Sequence, residues 1–172
     1  MTVEKPQTGK GGHGMIQRLE VRETSAHELG EWAAMRAEMM LEIGLIGASE
    51  VDSFRTRVTN WLAEVGGDNG PRFIGFIGLV AGSPAATSGA TIYTSPPHPR
   101  YEGREAYLMS MFVRPAFRRQ GIGTAILIAT MNAAKIAGAG NVLLLATDAG
   151  APLYRRHGFE SRSEYMALAA TR

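Results

Sequence analysis

The stretch FVRPAFRRQGIGTAI, residues 112 to 126, decides how this chain is read. It joins the apolar end of a strand to a proline, three arginines, two glycines and then a run with helical spacing. Strand, glycine turn and helix in that order make an anion site. The first N–H groups of a helix have no partner within it and point outward, and the helix dipole adds positive potential there. Glycine lets the backbone approach a ligand closely because no Cβ intervenes. Arg118 and Arg119 place cations at a helix start, where the dipole opposes them, and that favours an anion between them.

Two familiar phosphate motifs do not fit the turn. A dinucleotide fingerprint needs glycine or alanine at position 126, which is Ile126, and a place near the first strand. A P-loop needs Gly-Lys-Ser/Thr, and here Gly123 is followed by Thr124 and Ala125.

Outward from the turn, EAYLMSMFV (105–113) reads as the preceding strand, ended by Pro115. Upstream, IQRLEVRE (16–23) alternates as a strand, and Ser25 caps a helix over 26–43 with Leu29, Trp32, Ala33, Met39, Met40 and Ile43 at helical spacing. Ser49 and Asp52 resemble a capping box for a second helix to Val65. RFIGFIGLVAG (72–82) and ATSGATIYT (86–94) form a hairpin through Gly82-Ser83-Pro84. Downstream, the helix from Gly121 stops at Gly138 or Gly140, and NVLLLAT (141–147) is a strand buried on both faces. A short helix over Ala151–Arg156, a turn at Gly158 and a last strand within 160–169 complete one mixed α/β domain, residues 16–172, behind an N-terminal tail of residues 1–15.

Composition excludes several chemistries. With no cysteine among 172 residues there is no disulfide, no thiolate nucleophile and no cysteine-based zinc site. His13, His27, His98 and His157 are scattered, so no metal is expected. A formal charge of +2 without a run of five basic residues argues against nucleic acid. No apolar stretch is long enough to span a bilayer, and MTVEKPQTGKGGHGM lacks the apolar core of a signal peptide, so no membrane and a cytoplasmic location are expected.

Arg118-x-x-Gly121-x-Gly123 after the strand LMSMFVRP resembles the acyl-CoA signature of the GNAT superfamily of N-acetyltransferases. APLYRRHGFE (151–160) is similar to that family's closing Tyr-x-x-x-Gly-Phe element, in the expected order. The resemblance implies a central mixed, mostly antiparallel sheet, splayed in the middle and flanked by helices. It implies acetyl-CoA as acyl donor, with Arg118, Arg119, Gln120, Gly121, Ile122, Gly123 and Thr124 around the pyrophosphate and Met111, Phe112 and Val113 pairing with the pantetheine arm. Arg114 would add charge to the phosphates, and a bulge would help the splay. Family relatives often dimerise, so a homodimer is one expectation.

Without a cysteine or a Gly-x-Ser-x-Gly elbow, direct attack of an amine on the thioester remains. That route needs a neutral amine, a stabilised oxyanion and a proton for the leaving thiolate. A backbone N–H at or near Phe112 would meet the second need. By family position Tyr154 is the acid, since a phenol with pKa near ~10 is protonated at neutral pH; the other reading is a ring packed beneath the last strand. Where family members carry a strand base this chain has Tyr107, so Glu105, on the same face, is the candidate base, with Glu102 and His98 as rivals. The acceptor is a small-molecule or peptide amine; Trp32, Met35, Met39 and Met40 line its pocket or belong to the core. An idle acyl-CoA sensor, or an enzyme of O-acyl or longer-chain transfer, would keep the same glycine turn.

Overall fold

The computed structural model describes residues 18–65, 72–100 and 103–162. Its elements are β1 (Leu19–Glu23), α1 (Leu29–Glu42), α2 (Val51–Val65), β2 (Arg72–Val80), β3 (Ser83–Thr94), β4 (Arg104–Val113), α3 (Ile122–Ile136), β5 (Asn141–Leu143) and α4 (Ala151–Arg156). The five strands lie in the order β1-β2-β3-β4-β5, antiparallel from β1 to β4 and parallel between β4 and β5. The mixed, mostly antiparallel sheet expected from the sequence is therefore present.

Successive side chains of a strand point to opposite faces, and β2 shows what each face meets. Ile74 and Phe76 belong to the cluster that α3 fills with Ile122, Ile126 and Ala134, together with Ala86, Ala90 and Ala106. Phe73 packs instead with Trp32 and Ala33 of α1 and Val58 and Leu62 of α2. The rings of Trp32 and Trp61 meet Phe73 edge-on at 5.0 and 5.3 Å, and the Trp32 indole N–H donates to the Ser88 carbonyl at 3.0 Å. Trp32 and Met35 are fully buried, so they are core.

The start of α1 is fixed by one carboxylate. Glu28 accepts from both guanidinium nitrogens of Arg22 at 2.6 Å, from the Ser25 N–H at 3.0 Å and from the Ser25 hydroxyl. The Arg22 guanidinium first, then Ser25, hold its carboxyl down to about 2. For α2, the capping contact falls earlier than Ser49: Glu50 accepts from the Gly47 N–H at 2.8 Å, because a single 3₁₀ turn precedes the helix.

Two strand limits differ from the sequence reading. The β2–β3 turn is Ala81-Gly82, with φ +50 and +80, and Ser83 and Pro84 already belong to β3. A register shift after Gly78 leaves Ala85 unpaired and accommodates the proline. The 141–147 run pairs with β4 only over Asn141–Leu143, those three residues are half-buried, and Leu145 is 81% exposed. The two chains separate beyond Tyr107↔Leu143, so the far end of the apolar run has no ladder with β4. Residues 160–162 are irregular, and the rest of the expected last strand, like the tail 1–15, lies outside the described residues.

Gly75 and Gly89 face each other across β2 and β3. A Cβ at Gly89 would stand 2.7 Å from the Phe73 ring and 2.9 Å from Trp32, so the missing side chain is the seat of both aromatics. Gly89→Ala is expected to destabilise the fold by about 1–3 kcal/mol in urea unfolding; a neutral effect would show that α1 and α2 do not rest on this seat.

Candidate active site

The geometry of the site begins with a bulge in β4. The β3–β4 register passes from Gly89↔Met109 to Thr87↔Phe112, so Ser110 and Met111 share Ser88. Ser110 has φ +55, a conformation that costs a non-glycine residue about 1–3 kcal/mol and persists only when the surroundings hold it. Two side chains do so. Thr87 donates from its hydroxyl to the Ser110 carbonyl at 3.2 Å, and Arg36 of α1 donates to the Ser110 hydroxyl. On the other side, Leu108–Val113 has no strand partner among the described residues, because β5 pairs only with Glu105–Tyr107. Met111, Phe112 and Val113 thus lie on an open strand edge.

The chain then turns back on itself. The Arg114 N–H donates to Ala85 at 2.9 Å, a single turn spans Pro115–Phe117, and Arg119 and Gly121 adopt φ +63 and +80. Gly121 is the N-cap of α3, with no side-chain capping bond. The Ala125 N–H makes the bond to Gly121, so the N–H groups of Ile122, Gly123 and Thr124 have no partner inside the helix. A Cβ at Gly121 would meet nothing within 4 Å, so space is open there and the left-handed backbone is what asks for glycine. At Gly123 a Cβ would make only ordinary contacts at 3.6 and 3.7 Å. Packing does not require that glycine; close approach of a ligand would.

The arginines divide. Arg118 donates to both oxygens of Glu42 at 2.7 and 2.6 Å and to the Val113 carbonyl at 2.8 Å, with its guanidinium over the Phe112 ring. Arg114 binds Glu38 at 2.9 and 2.6 Å, Glu31 at 2.9 Å and the Pro84 carbonyl at 2.9 Å. Those partners, Glu38 foremost, raise its pKa above the ordinary guanidinium value. Both side chains tie the end of β4 to α1. Arg119 is exposed and makes no hydrogen bond or ion pair with the described residues.

Tyr154 of α4 is 8% exposed and shares an apolar cluster with Leu108 and Leu127, against which Met111 packs. Its ring meets Phe159 edge-on at 5.8 Å. Burial raises the phenol pKa, so the hydroxyl stays protonated to higher pH than a free tyrosine. No described residue accepts from that hydroxyl, and it is not sealed from solvent.

Glu105 lies elsewhere. It is buried, accepts from the Tyr93 hydroxyl at 2.7 Å, and stands five residues before the bulge, roughly 16 Å along the strand at ~3.3 Å per residue. His98 accepts from the Arg100 N–H in the β3–β4 connection, and Glu102 lies outside the described residues. The site's unforeseen members are Thr87, Ser110 and Arg36. Their traces in the sequence are a serine amid LMSMFV and a charge amid the apolar face Ala33, Met35, Ala37. A separate cavity of about 390 Å³ follows β5 and α4; Tyr154 borders it, but neither the bulge nor the glycine turn does. Among the described residues no three His, Asp or Glu side chains are grouped to hold a metal, and no helix is long and apolar enough to cross a membrane.

An open strand edge that runs into an uncapped helix start, beside a buried phenol, suits an extended ligand with an anionic middle and a reactive end. The comparisons with known proteins say which family carries this fold. A family model described as an acetyltransferase (GNAT) domain matches residues 58–161, more than half of the chain, and the chain belongs to that family. A GCN5-related N-acetyltransferase from Ralstonia eutropha is 26% identical, with a TM-score of 0.73 over 90% of this chain and 100% of that one. A predicted acetyltransferase solved with acetyl-CoA from Clostridium acetobutylicum is 21% identical, with a TM-score of 0.74 over 88% and 96%. An aminoglycoside acetyltransferase from an uncultured soil metagenomic sample is 17% identical, with a TM-score of 0.66 over 90% and 99%. No curated protein matches the chain.

If Arg114 is a structural clamp, Arg114→Met leaves Glu31 and Glu38 without their cation. We expect it to lower stability by about 1–3 kcal/mol in urea unfolding, while Arg119→Met stays within about 0.5 kcal/mol of the parent. Equal effects would contradict that division of labour.

Proposed function

We propose that this protein transfers an acetyl group from acetyl-CoA directly to a primary amine. The observation that carries the reading is the continuity of the open β4 edge with the uncapped start of α3. An extended pantetheine arm adds to Met111–Val113 as a further strand would, and the pyrophosphate meets the N–H groups of Ile122, Gly123 and Thr124. Gln120 and Gly121 shape the turn, and Arg119 supplies an unmatched positive charge. Arg118 contributes less charge than its position suggests, since Glu42 already neutralises it.

The amine nitrogen attacks the thioester carbonyl carbon, a C–N bond forms, and the C–S bond breaks. Charge developing on the carbonyl oxygen needs a fixed donor; a backbone N–H at or near Phe112 supplies it, next to a bulge whose Ser110 carbonyl and hydroxyl are held by Thr87 and Arg36. The leaving thiolate takes the proton of the Tyr154 hydroxyl, and the phenolate regains one from solvent. Tyr154 fits this role because its hydroxyl has no other acceptor among the described residues and burial keeps it protonated. Glu105 stands too far along β4 to touch an amine at the bulge, so water takes the proton that an incoming ammonium must lose to attack and the further proton that the nitrogen sheds as the amide forms. The free tyrosine hydroxyl is also what favours an enzyme over an idle sensor.

The test is thiol release from acetyl-CoA with a panel of amines. Tyr154→Phe is expected to lower kcat by about 10²–10⁴-fold with little change in acetyl-CoA affinity; full activity would remove Tyr154 from the reaction. In the parent, kcat should show no alkaline fall assignable to Tyr154 below pH ~10, because the folded-state pKa is raised. Gly121→Asp puts bulk and negative charge at the helix start and is expected to abolish acetyl-CoA binding in calorimetry; retained binding would place the phosphates elsewhere.

A further inference from the structure

Among the described residues, one charged side chain beside the bulge has no counter-ion. Arg22 has Glu20 and Glu28, Arg114 has Glu31 and Glu38, and Arg118 has Glu42. Arg36 sits on α1 between the buried Met35 and Ala37, is itself half-buried, and among the described residues has for partner only the neutral Ser110 hydroxyl. Its burial is deep enough to pull the guanidinium pKa below its ordinary value, against the opposing influence of the nearby Tyr107. A guanidinium carries five N–H donors in a planar fork, and burying one without an anion is costly. Folding alone gains little by placing it there, since a neutral donor would hold the Ser110 hydroxyl as well.

The position gives the charge a use. Ser110 is the bulge residue, and the bulge is where the reading above brings the acyl group and the acceptor amine together. A fixed cation there acts on the acceptor in two ways. It repels polyamines and other multiply cationic acceptors, whose amines would be drawn to a carboxylate instead. It attracts an oxyanion carried beside the reacting amine, which the fork can grip through two N–H groups.

The geometry points to Arg36 as the acceptor-recognition residue, selecting amines that carry a carboxylate or phosphate close to the amino group. Amino acids, short peptides with a nearby carboxylate and amino-sugar phosphates belong to this class; aminoglycosides do not. The inference rests on the acetyl-transfer reading, and the experiment separates the two.

The parent protein is assayed for thiol release from acetyl-CoA with matched acceptors: amino acids and their amides, an amino sugar and its phosphate, a polyamine and an aminoglycoside. We expect kcat/KM for an anionic acceptor to exceed that of its neutral partner by 100-fold or more, chiefly through KM. Whether carboxylate or phosphate is the native anion is read from which pair shows the larger ratio. In Arg36→Gln that ratio should collapse to within a few-fold of one, and Arg36→Lys, which keeps the charge without the fork, should recover part of it. The ratio is internal to each variant, so a general loss of activity does not mimic the result, and retained acetyl-CoA binding shows that each variant is folded. Preference for the polyamine or aminoglycoside, an unchanged ratio in Arg36→Gln, or no turnover of any anionic acceptor overturns the assignment. Failure of the acetyl-transfer reading looks different: no acetyl-CoA binding and no thiol release with any amine.

Discussion

Ser110 and Met111 of β4 face the single residue Ser88 of β3, and the rest of the site depends on that mismatch. The extra residue twists and bends the strand, as bulges do. Beyond it the edge of β4 is unpaired among the described residues, and the backbone runs directly into the turn that starts α3. The strain at Ser110 is held by Thr87 from the sheet and by Arg36 from α1. The bulge is thus a feature enforced from two layers, and a ligand extended along β4 would meet backbone that is already set in place.

The helix α1 is bound three times over to β4 and the turn that follows it. Arg36 reaches Ser110, Arg114 reaches back to Glu31 and Glu38, and Arg118 reaches Glu42. These contacts fix α1 relative to β4 and the turn before α3, with the seat made by Gly89 beneath Trp32 as their apolar counterpart. At the start of α3 the backbone N–H groups and Arg119 are left without partners among the described residues, whereas Arg114 and Arg118 are already neutralised by α1.

The order and type of these elements were legible because each carries a local signal: alternation in β1, apolar runs bounded by turn residues in β2 to β4, helical spacing in α1 to α3, glycine where α3 begins. The glycine turn was legible for the same local reason, since Gly121 does adopt a left-handed backbone at the helix start. What stayed hidden depends on partners distant in sequence. Glu31 and Glu38 lie some eighty residues from Arg114, and nothing nearby in the chain says that they neutralise it. The bulge is invisible to period-2 alternation until β3 is laid beside β4. Glu105 shares a face with Tyr107 by alternation and stands five residues before the bulge, and a face argument alone does not weigh distance along the strand.

The central claim is that the open β4 edge and the start of α3 form one continuous binding surface for acetyl-CoA. Titrating the isotopically labelled protein with acetyl-CoA and following assigned backbone amides tests it directly. The account predicts that the largest shifts fall together on Met111–Val113 and Gln120–Thr124. Shifts confined to the groove along residues 141–146 and 155–162, with both of those segments unmoved, would contradict it.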